Sequence, residues 1–234
     1  MYGHGFAMMF LSQVYGMEQD ADRQRALAGA LKRAAEFSGR CQAGDGGWGY
    51  GFYAGPFGEG SVTVTQIQGL RAVRDAGVPV SGEIIARAVR LIESLQNPDG
   101  GIRYSTNVQE NGRDSRPAIS AAAMVTLYSA ARVDQPAAVR AREFVRRTLV
   151  DAETGKLNEQ MQPYYTLFYA AQGFHFSGEE DWKRFFPAQR DDLVTKQDRA
   201  TGAWPEWSGG RIFSTAVALI VLQLPYGYVP VFQR

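Results

Sequence analysis

Apolar side chains recur at helical spacing along most of this chain, in two patterns that alternate. In four segments, apolar residues return every three or four positions and charged residues fill the intervals, which predicts amphipathic helices with one face in solvent. Leu27, Leu31 and Phe37 mark the apolar face of the first such helix. These half-exposed helices are predicted over residues 20–40, 81–95, 135–149 and 179–195.

The helices between them are apolar or small on nearly every side, and a helix of that kind is buried on every side. They are predicted over residues 61–76, 117–132, 162–176 and 212–224. The apolar segment at the N-terminus adds a further core helix, which brings the total to nine. No segment alternates with a two-residue period, so strands are not expected. The sequence therefore predicts an all-α protein with an inner layer of buried helices and an outer layer of amphipathic ones.

A glycine-containing loop recurs along the chain and indicates an internal repeat. Its copies lie near residues 41–50, 96–104, 151–157 and 197–207. Gly47, Gly101 and Gly155 follow one another at intervals of 54 residues, and Gly202 comes 47 residues later. Glycine permits the sharp exit from a helix that such a loop requires, because it accepts positive φ angles. We predict about four helix–turn–helix units in a single domain over residues 1–234.

The loops resemble the repeat of the prenyltransferase and squalene-oxidase-type family, the α/α-toroid superfamily of squalene–hopene and related terpenoid cyclases. That repeat has Gln followed a few residues later by Gly and Trp. Gln42, Gly47 and Trp48 match it, and so do Gln197, Gly202 and Trp204. The resemblance implies an α/α toroid, a ring of inner helices sheathed by outer helices. The family's ring has about a dozen helices, so nine helices imply a partial or open ring, or one that relies on further segments.

The resemblance does not extend to the family's catalytic motifs. Class II cyclases of this fold protonate an alkene with an Asp-x-Asp-Asp motif ahead of an inner helix. Glu59-Gly60-Ser61 and Asp114-Ser115-Arg116 occupy the corresponding places, and neither has the motif. Cys41 is the only cysteine and lies in no Asp-x-Cys pattern, so the zinc ligands of protein prenyltransferases are absent as well. We predict no metal and no cofactor.

Composition narrows the classes of partner. The formal net charge is +1, whereas a nucleic-acid-binding protein needs a basic excess to neutralise phosphates. We therefore predict no nucleic-acid partner. No apolar run approaches the length of a transmembrane helix, and the N-terminus lacks the basic start and cleavage site of a signal peptide. The compartment is unknown from the sequence, and oligomerisation through open toroid ends is a further expectation.

Three titratable residues are candidate catalytic groups: Asp114, Glu59 and His4. Asp114 and Glu59 precede inner helices at comparable places in consecutive repeats, so the fold would bring two carboxylates to one end of a cavity, where one could donate a proton. His4 precedes the first helix and could act as a general acid or base. The competing interpretation is that the two carboxylates cap helices and that the histidine packs.

Polar and aromatic residues on inner helices are candidate ligand contacts. Thr63 and Gln66 place polar groups on a buried helix, so each needs a partner from a neighbouring loop or from a ligand. Tyr164, Tyr165 and Tyr169 would line a cavity with aromatic faces, which stabilise carbocations in cyclases, although such a stripe also occurs in ordinary cores.

Three functions remain open at this point. The first is a terpenoid cyclase-like or prenyltransferase-like protein that binds a hydrophobic, isoprenoid-type ligand in a central cavity. The second is a non-catalytic binding or scaffold toroid. The third is a carbohydrate-active enzyme on the same architecture, with Arg103, Tyr104 and Arg113 near Asp114 as its residues.

Overall fold

A computed structural model describes residues 1–129, 134–158, 160–207 and 209–228. In these ranges the chain forms α-helices and one short 3₁₀ turn at Leu224–Tyr226, and it forms no β-strand, only isolated bridges. The prediction of an all-α protein is confirmed. The helices are α1 Tyr2–Met17, α2 Ala21–Arg40, α3 Gly60–Asp75, α4 Gly82–Ser94, α5 Val108–Asn111, α6 Pro117–Ser129, α7 Pro136–Leu149, α8 Pro163–Ser177, α9 Glu179–Lys196 and α10 Gly210–Gln223.

The described chain divides into two compact units. The first comprises Met1–Asn97 with Ile102–Ser115, and the second comprises Pro98–Gly101 with Arg116–Arg234. The division does not test the prediction of a single domain over residues 1–234. The short helix α5 was not predicted, and residues 130–132, at the end of the helix predicted over residues 117–132, lie outside the described ranges.

The helices α2, α3 and α4 have the burial that was expected of outer and inner helices. Every residue of α3 from Gly60 to Leu70 is buried, whereas α2 and α4 each bury one face. In the first unit α1 packs against α3, and glycines permit this contact. A Cβ at Gly5 would lie 2.6 Å from the Thr65 carbonyl oxygen, and one at Gly69 would lie 2.6 Å from that of Gly5.

Two predicted core helices are exposed on one side, which corrects the expectation that they are buried all round. In α10, Ile212 is 88% exposed and Leu219 is 44% exposed. In α1, Phe10 is 66% exposed and Met17 is 77% exposed, while Met8 and Met9 are buried. A helix with apolar residues on every side is therefore not always surrounded by other helices. It can also pack mainly on a single neighbour, as α10 packs on α8.

The first three repeat loops are held by a backbone contact that sets their register. Gly46, Gly100, Gly155 and Gly202 have positive φ angles of 97°, 89°, 72° and 71°. These four glycines are the equivalent residues of the four loops. In the first two loops, the equivalent glycine therefore lies one residue before the predicted Gly47 and Gly101. A Cβ at Gly46 would lie 2.7 Å from the Arg87 carbonyl oxygen, and one at Gly100 or Gly155 would lie 2.6 Å from that of Arg140 or Arg184.

The tryptophan of the repeat ties its loop to the preceding outer helix and the following inner helix. The Trp48 indole donates to the Ser38 carbonyl oxygen at 2.8 Å, and its backbone amide donates to Thr63 Oγ1 at 3.0 Å. Trp204 makes the same pair of bonds to Leu193 and Thr215. These contacts explain why a buried tryptophan recurs in the loops.

We predict that Gly100→Ala destabilises the protein by about 3 kcal/mol, since the new Cβ would meet the Arg140 backbone as well as occupying a left-handed conformation. Gly77→Ala is the matched control. Gly77 also has a positive φ, of 87°, but its Cβ would meet no atom within 4 Å, so only about 1–2 kcal/mol should be lost. Urea unfolding measures both changes. Equal losses would show that the contact with α7 contributes nothing.

Candidate active site

Three hydroxyl groups meet at the start of α3 in the first unit. The Tyr50 and Tyr104 phenol oxygens lie 2.8 Å apart, and Ser61 Oγ lies 3.4 Å from the first and 3.3 Å from the second. Tyr50 comes from the first repeat loop, Ser61 from the first turn of α3 and Tyr104 from the second repeat loop. We call these three residues the hydroxyl cluster.

Glu59 lies beside the hydroxyl cluster, at the residue that precedes α3. Its backbone amide donates to the Trp48 carbonyl oxygen at 2.9 Å, and the amide of Gly60 donates to that of Tyr104 at 2.8 Å. Both repeat loops are thereby fixed to the same helix end. The Glu59 carboxylate is near enough for its charge to act on the Tyr104 phenol.

Asp45 holds the first repeat loop in place. Its carboxylate accepts from the backbone amides of Gly47 at 3.0 Å and Gly58 at 2.9 Å, and from Thr106 Oγ1 at 2.8 Å. Because Gly47 and Gly58 bracket Tyr50, one carboxylate closes the loop that carries the tyrosine. Thr106 connects the same carboxylate to the loop that carries Tyr104. Asp45 is thus a positioning residue for the hydroxyl cluster.

The loop that Asp45 closes is rich in exposed aromatic side chains. Residues 46–58 contain no charged side chain. The exposed fractions are 59% for Tyr50, 71% for Phe52, 72% for Tyr53 and 48% for Phe57. We call residues 50–57 the aromatic loop. Exposed apolar side chains grouped in this way are typical of a surface that contacts another molecule.

The surroundings of Tyr104 keep its phenol protonated. Burial is the largest cause of the raised pKa of Tyr104, and the hydrogen bond with Tyr50 and the charge of Glu59 raise the pKa further. The Ser61 hydrogen bond acts in the opposite direction without reversing the shift. The amino group of Met1 donates to the Tyr50 carbonyl oxygen at 2.6 Å, and burial lowers the pKa of that amino group.

The candidate catalytic residues lie in different surroundings within the first unit. Glu59 adjoins the hydroxyl cluster, whereas Asp114 is exposed in the segment between α5 and α6. His4 lies within the first turn of α1 and not ahead of the helix as predicted. Its ring contacts Phe37 edge to face, and His4 Nε2 lies 3.0 Å from the Ala34 carbonyl oxygen. A carbonyl oxygen only accepts, so that nitrogen carries the proton. That the carboxylates of Asp114 and Glu59 lie together at one end of a cavity stays a prediction.

The two candidate polar ligand contacts on α3 have protein partners. Thr63 Oγ1 accepts from the Trp48 amide at 3.0 Å. Gln66 Nε2 donates to the Met1 carbonyl oxygen at 2.8 Å, and Gln66 Oε1 accepts from Ser38 Oγ at 2.7 Å. Both side chains are fully buried. Both side chains thus have protein partners, and their contact with a ligand stays a prediction.

The candidate aromatic contacts lie in the second unit. Tyr164 and Tyr169 are buried, and Tyr165 is half-buried. The Tyr169 ring packs edge to face against Tyr165 at 4.8 Å and against Phe168 at 4.9 Å between ring centroids. This is ordinary aromatic core packing. Their contact with a ligand stays a prediction.

The second unit also has an open groove of about 610 Å³ beside the end of α8. The His175 ring packs edge to face on Trp182 there, at 4.9 Å between centroids. Lys183 pairs with Glu179 at 2.7 Å, and both side chains are well exposed. Residues lining the groove are His175, Glu179, Trp182, Lys183, Leu224, Pro225 and Gly227.

The described residues contain no group of three or more His, Cys, Asp and Glu side chains arranged to hold a metal ion. In the same ranges, no helix combines the length and the hydropathy needed to span a membrane.

The sequence of the chain matches one protein family over residues 10–189, the family described as the squalene-hopene cyclase C-terminal domain. This match covers more than half of the chain. The chain belongs to the squalene-hopene cyclase C-terminal domain family. Membership confirms the resemblance that the repeat loops indicated. No curated protein matches the chain.

Solved structures with the same fold include the type II terpene cyclase MstE from Scytonema. One, an aspartate-to-asparagine variant in complex with its substrate geranylgeranyl dihydroxybenzoate, has 16% sequence identity and a TM-score of 0.67. Another, a ligand-free tyrosine-to-phenylalanine variant, has 17% identity and the same score. Each match covers 97% of this chain but only 64% of the cyclase chain. The fold class is therefore the α/α toroid class of the terpenoid cyclases, as predicted.

Sequence reasoning named Glu59 but missed the hydroxyl cluster as a unit. A usable signal was present, since Tyr50 and Tyr104 are 54 residues apart, which is also the interval between the equivalent glycines Gly46 and Gly100. Equivalent positions in adjacent repeats are neighbours in a repeat protein. Asp45 shows the same interval, since Asp99 lies 54 residues later and accepts from the Gly101 amide as Asp45 accepts from the Gly47 amide. The bonds from Asp45 to Gly58 and Thr106 had no such signal, because these partners are distant in the sequence.

We predict that Tyr104 contributes to a loss of stability at alkaline pH. Its pKa is raised in the folded state, so its contribution is fully present below the unfolded pKa of about 10 and is lost as the pH rises above that value. Tyr104→Phe should therefore flatten the fall in unfolding free energy above pH 10. Chemical unfolding across that range measures it. An unchanged slope would contradict the assignment, and Tyr226→Phe, which alters an exposed tyrosine, is the control.

Proposed function

We propose that this terpenoid cyclase-fold protein binds an isoprenoid-type ligand at the hydroxyl cluster and the aromatic loop of its first unit. The proposal rests on one observation, that Tyr50 belongs both to the hydroxyl cluster and to the aromatic loop. Its hydroxyl belongs to a polar cluster, and its loop presents exposed aromatic rings. Such a ligand has a long apolar chain, and this site offers aromatic faces for the chain and hydrogen bonds for a polar end.

The family and its structural neighbours support this ligand class. A type II terpene cyclase with the same fold binds geranylgeranyl dihydroxybenzoate, which is an isoprenoid compound. The proposed site does not include Thr63 and Gln66, since their polar atoms already have protein partners. Contacts of a ligand with Tyr164, Tyr165 and Tyr169 in the second unit remain a separate proposal, and so does oligomerisation.

Catalysis is a second candidate function, and the position of Glu59 favours it. Glu59 directly precedes α3, where the family resemblance places an acid motif. A proton donor there would act on an alkene held by the aromatic loop. Asp114 and His4 are weaker candidates, because Asp114 is exposed and His4 is hydrogen-bonded to Ala34. The alternative of a carbohydrate-active enzyme has less support, since Arg103 donates to the Ser94 carbonyl oxygen and Tyr104 belongs to the hydroxyl cluster.

Incubation of the purified protein with a lipid extract, followed by mass spectrometry of what remains bound, tests the binding proposal. We expect an isoprenoid lipid to co-purify. The double variant Phe52→Ala/Phe57→Ala should retain several-fold less of it, because two apolar contacts are removed. Val194→Ala, which trims an exposed apolar residue of α9, should retain as much as the natural chain. Failure to retain any isoprenoid would refute the proposal.

Turnover of a bound isoprenoid tests the catalytic candidates. If product forms, Glu59→Gln should lower the rate by at least about a hundredfold, the typical contribution of a general acid. Asp114→Asn should lower it much less, because the Asp114 side chain is exposed. The reverse order would transfer the role of proton donor to Asp114. Absence of product with bound substrate would leave the protein as a binding protein.

A further inference from the structure

The helix α10 has an exposed apolar face in the second unit. We infer that this face forms the interface of a homodimer, in which α10 packs antiparallel against the same helix of a second copy of this chain. The dimer does not depend on the proposed function, because the hydroxyl cluster and the aromatic loop belong to the first unit.

The two sides of α10 have different surroundings. Its buried side packs on α8. The residues of that side are Ser214, Val217, Ala218 and Val221. Ile212, Ala216 and Leu219 are exposed at intervals of four and three residues, so they form one stripe on the opposite side of the helix. We call these three residues the α10 stripe. Half-buried Phe213 and Leu222 lie on either side of it. An apolar stripe with this spacing is what packs one helix against another.

The exposed side chains offer enough area for a specific interface. Ile212 is 88% exposed and Leu219 is 44% exposed. Just beyond the helix end, Tyr226 and Tyr228 are 67% and 71% exposed, and their rings stack at 5.5 Å between centroids. Large apolar and aromatic side chains each cover on the order of 100–200 Å², so these four with Ala216 present roughly 500 Å². A specific interface buries about that area or more on each partner.

The α10 stripe is complementary to itself. An antiparallel pair centred between Ala216 and Leu219 places Ala216 of each copy opposite Leu219 of the other copy. It also places Ile212 of each copy opposite Gln223 of the other. The small alanine lets the two helices approach, and the leucine fills the space beside it. Because every contact occurs twice about a two-fold axis, the pair is closed and adds no third copy.

Charge is also complementary in this pairing. Arg211 is the only charged residue of α10, and residues 212–228 contain none. The carbonyl groups at the C-terminal end of a helix carry partial negative charge, and α10 has no basic residue in its own last turn. The antiparallel pairing brings Arg211 of each copy to that end of the other copy's helix. The two arginines lie at opposite ends of the interface, so they do not repel each other.

Sedimentation equilibrium of the purified protein at micromolar concentrations tests the dimer. We expect twice the mass of one chain. Leu219→Asp should raise the dissociation constant of the dimer at least about a hundredfold, because it removes two apolar contacts and brings two carboxylates near the two-fold axis. Arg211→Glu should raise it about five- to tenfold, since it reverses the charge beside the partner's helix end, whereas Arg211→Lys should not.

Phe10→Asp is the matched control, because it places the same charge at an apolar residue of α1 that is 66% exposed. This variant should remain a dimer, and the far-ultraviolet circular dichroism of each variant checks its folding. A monomer at these concentrations would overturn the inference and leave the stripe to a different partner. A dimer that Leu219→Asp leaves intact, or one that Phe10→Asp dissociates, would overturn it as well, since the interface would then lie elsewhere.

The orientation of the two helices has a test of its own. The natural Cys41 is buried, so an introduced surface cysteine reacts selectively. Mild oxidation of an equal mixture of Ala216→Cys and Leu219→Cys should join the two different variants, which mass spectrometry identifies. Disulfides only between identical variants would indicate parallel helices and overturn the antiparallel pairing.

Discussion

The contact between a repeat-loop glycine and the backbone of an outer helix is the constraint on which the rest of the structure depends. At Gly46, Gly100 and Gly155 the chain adopts a left-handed conformation and approaches a carbonyl oxygen so closely that no other side chain fits. The contact fixes where each of these three loops leaves its helix. In the first unit, it also fixes the loop that carries Tyr50, which Asp45 then closes onto Gly58 and Thr106.

The site follows from this arrangement and from the repeat period. Tyr50 and Tyr104 occupy equivalent positions in adjacent loops, so the repeat places their hydroxyl groups 2.8 Å apart. Ser61 and Glu59 lie at the helix start between them. Where the resemblance expects an acidic motif, this chain has one carboxylate and a cluster of neutral hydroxyls. Under the proposed function, these hydroxyl groups bind the polar end of a ligand through hydrogen bonds.

The sequence predicted the class of fold because its signals are local. The helical spacing of apolar residues and the recurring glycines depend on neighbours along the chain, as at Leu27, Leu31 and Gly155. Long-range features were not predictable in this way. The exposure of Ile212 depends on which helices surround α10, and the protein partners of Thr63 and Gln66 lie in segments far away in the sequence. The sequence could not show whether Gly46 or Gly47 is the equivalent of Gly155, because the two glycines are adjacent. The φ angles of the structure identify Gly46.

A structure of the protein with geranylgeraniol tests the central claim most directly, since it locates the ligand's polar end. The account predicts that the alcohol oxygen lies within about 3 Å of the Tyr104 phenol oxygen or of Ser61 Oγ. The isoprenoid chain should lie against Phe52 and Phe57. An alcohol bound elsewhere, with Tyr50, Ser61 and Tyr104 hydrogen-bonded only to one another, would contradict the account.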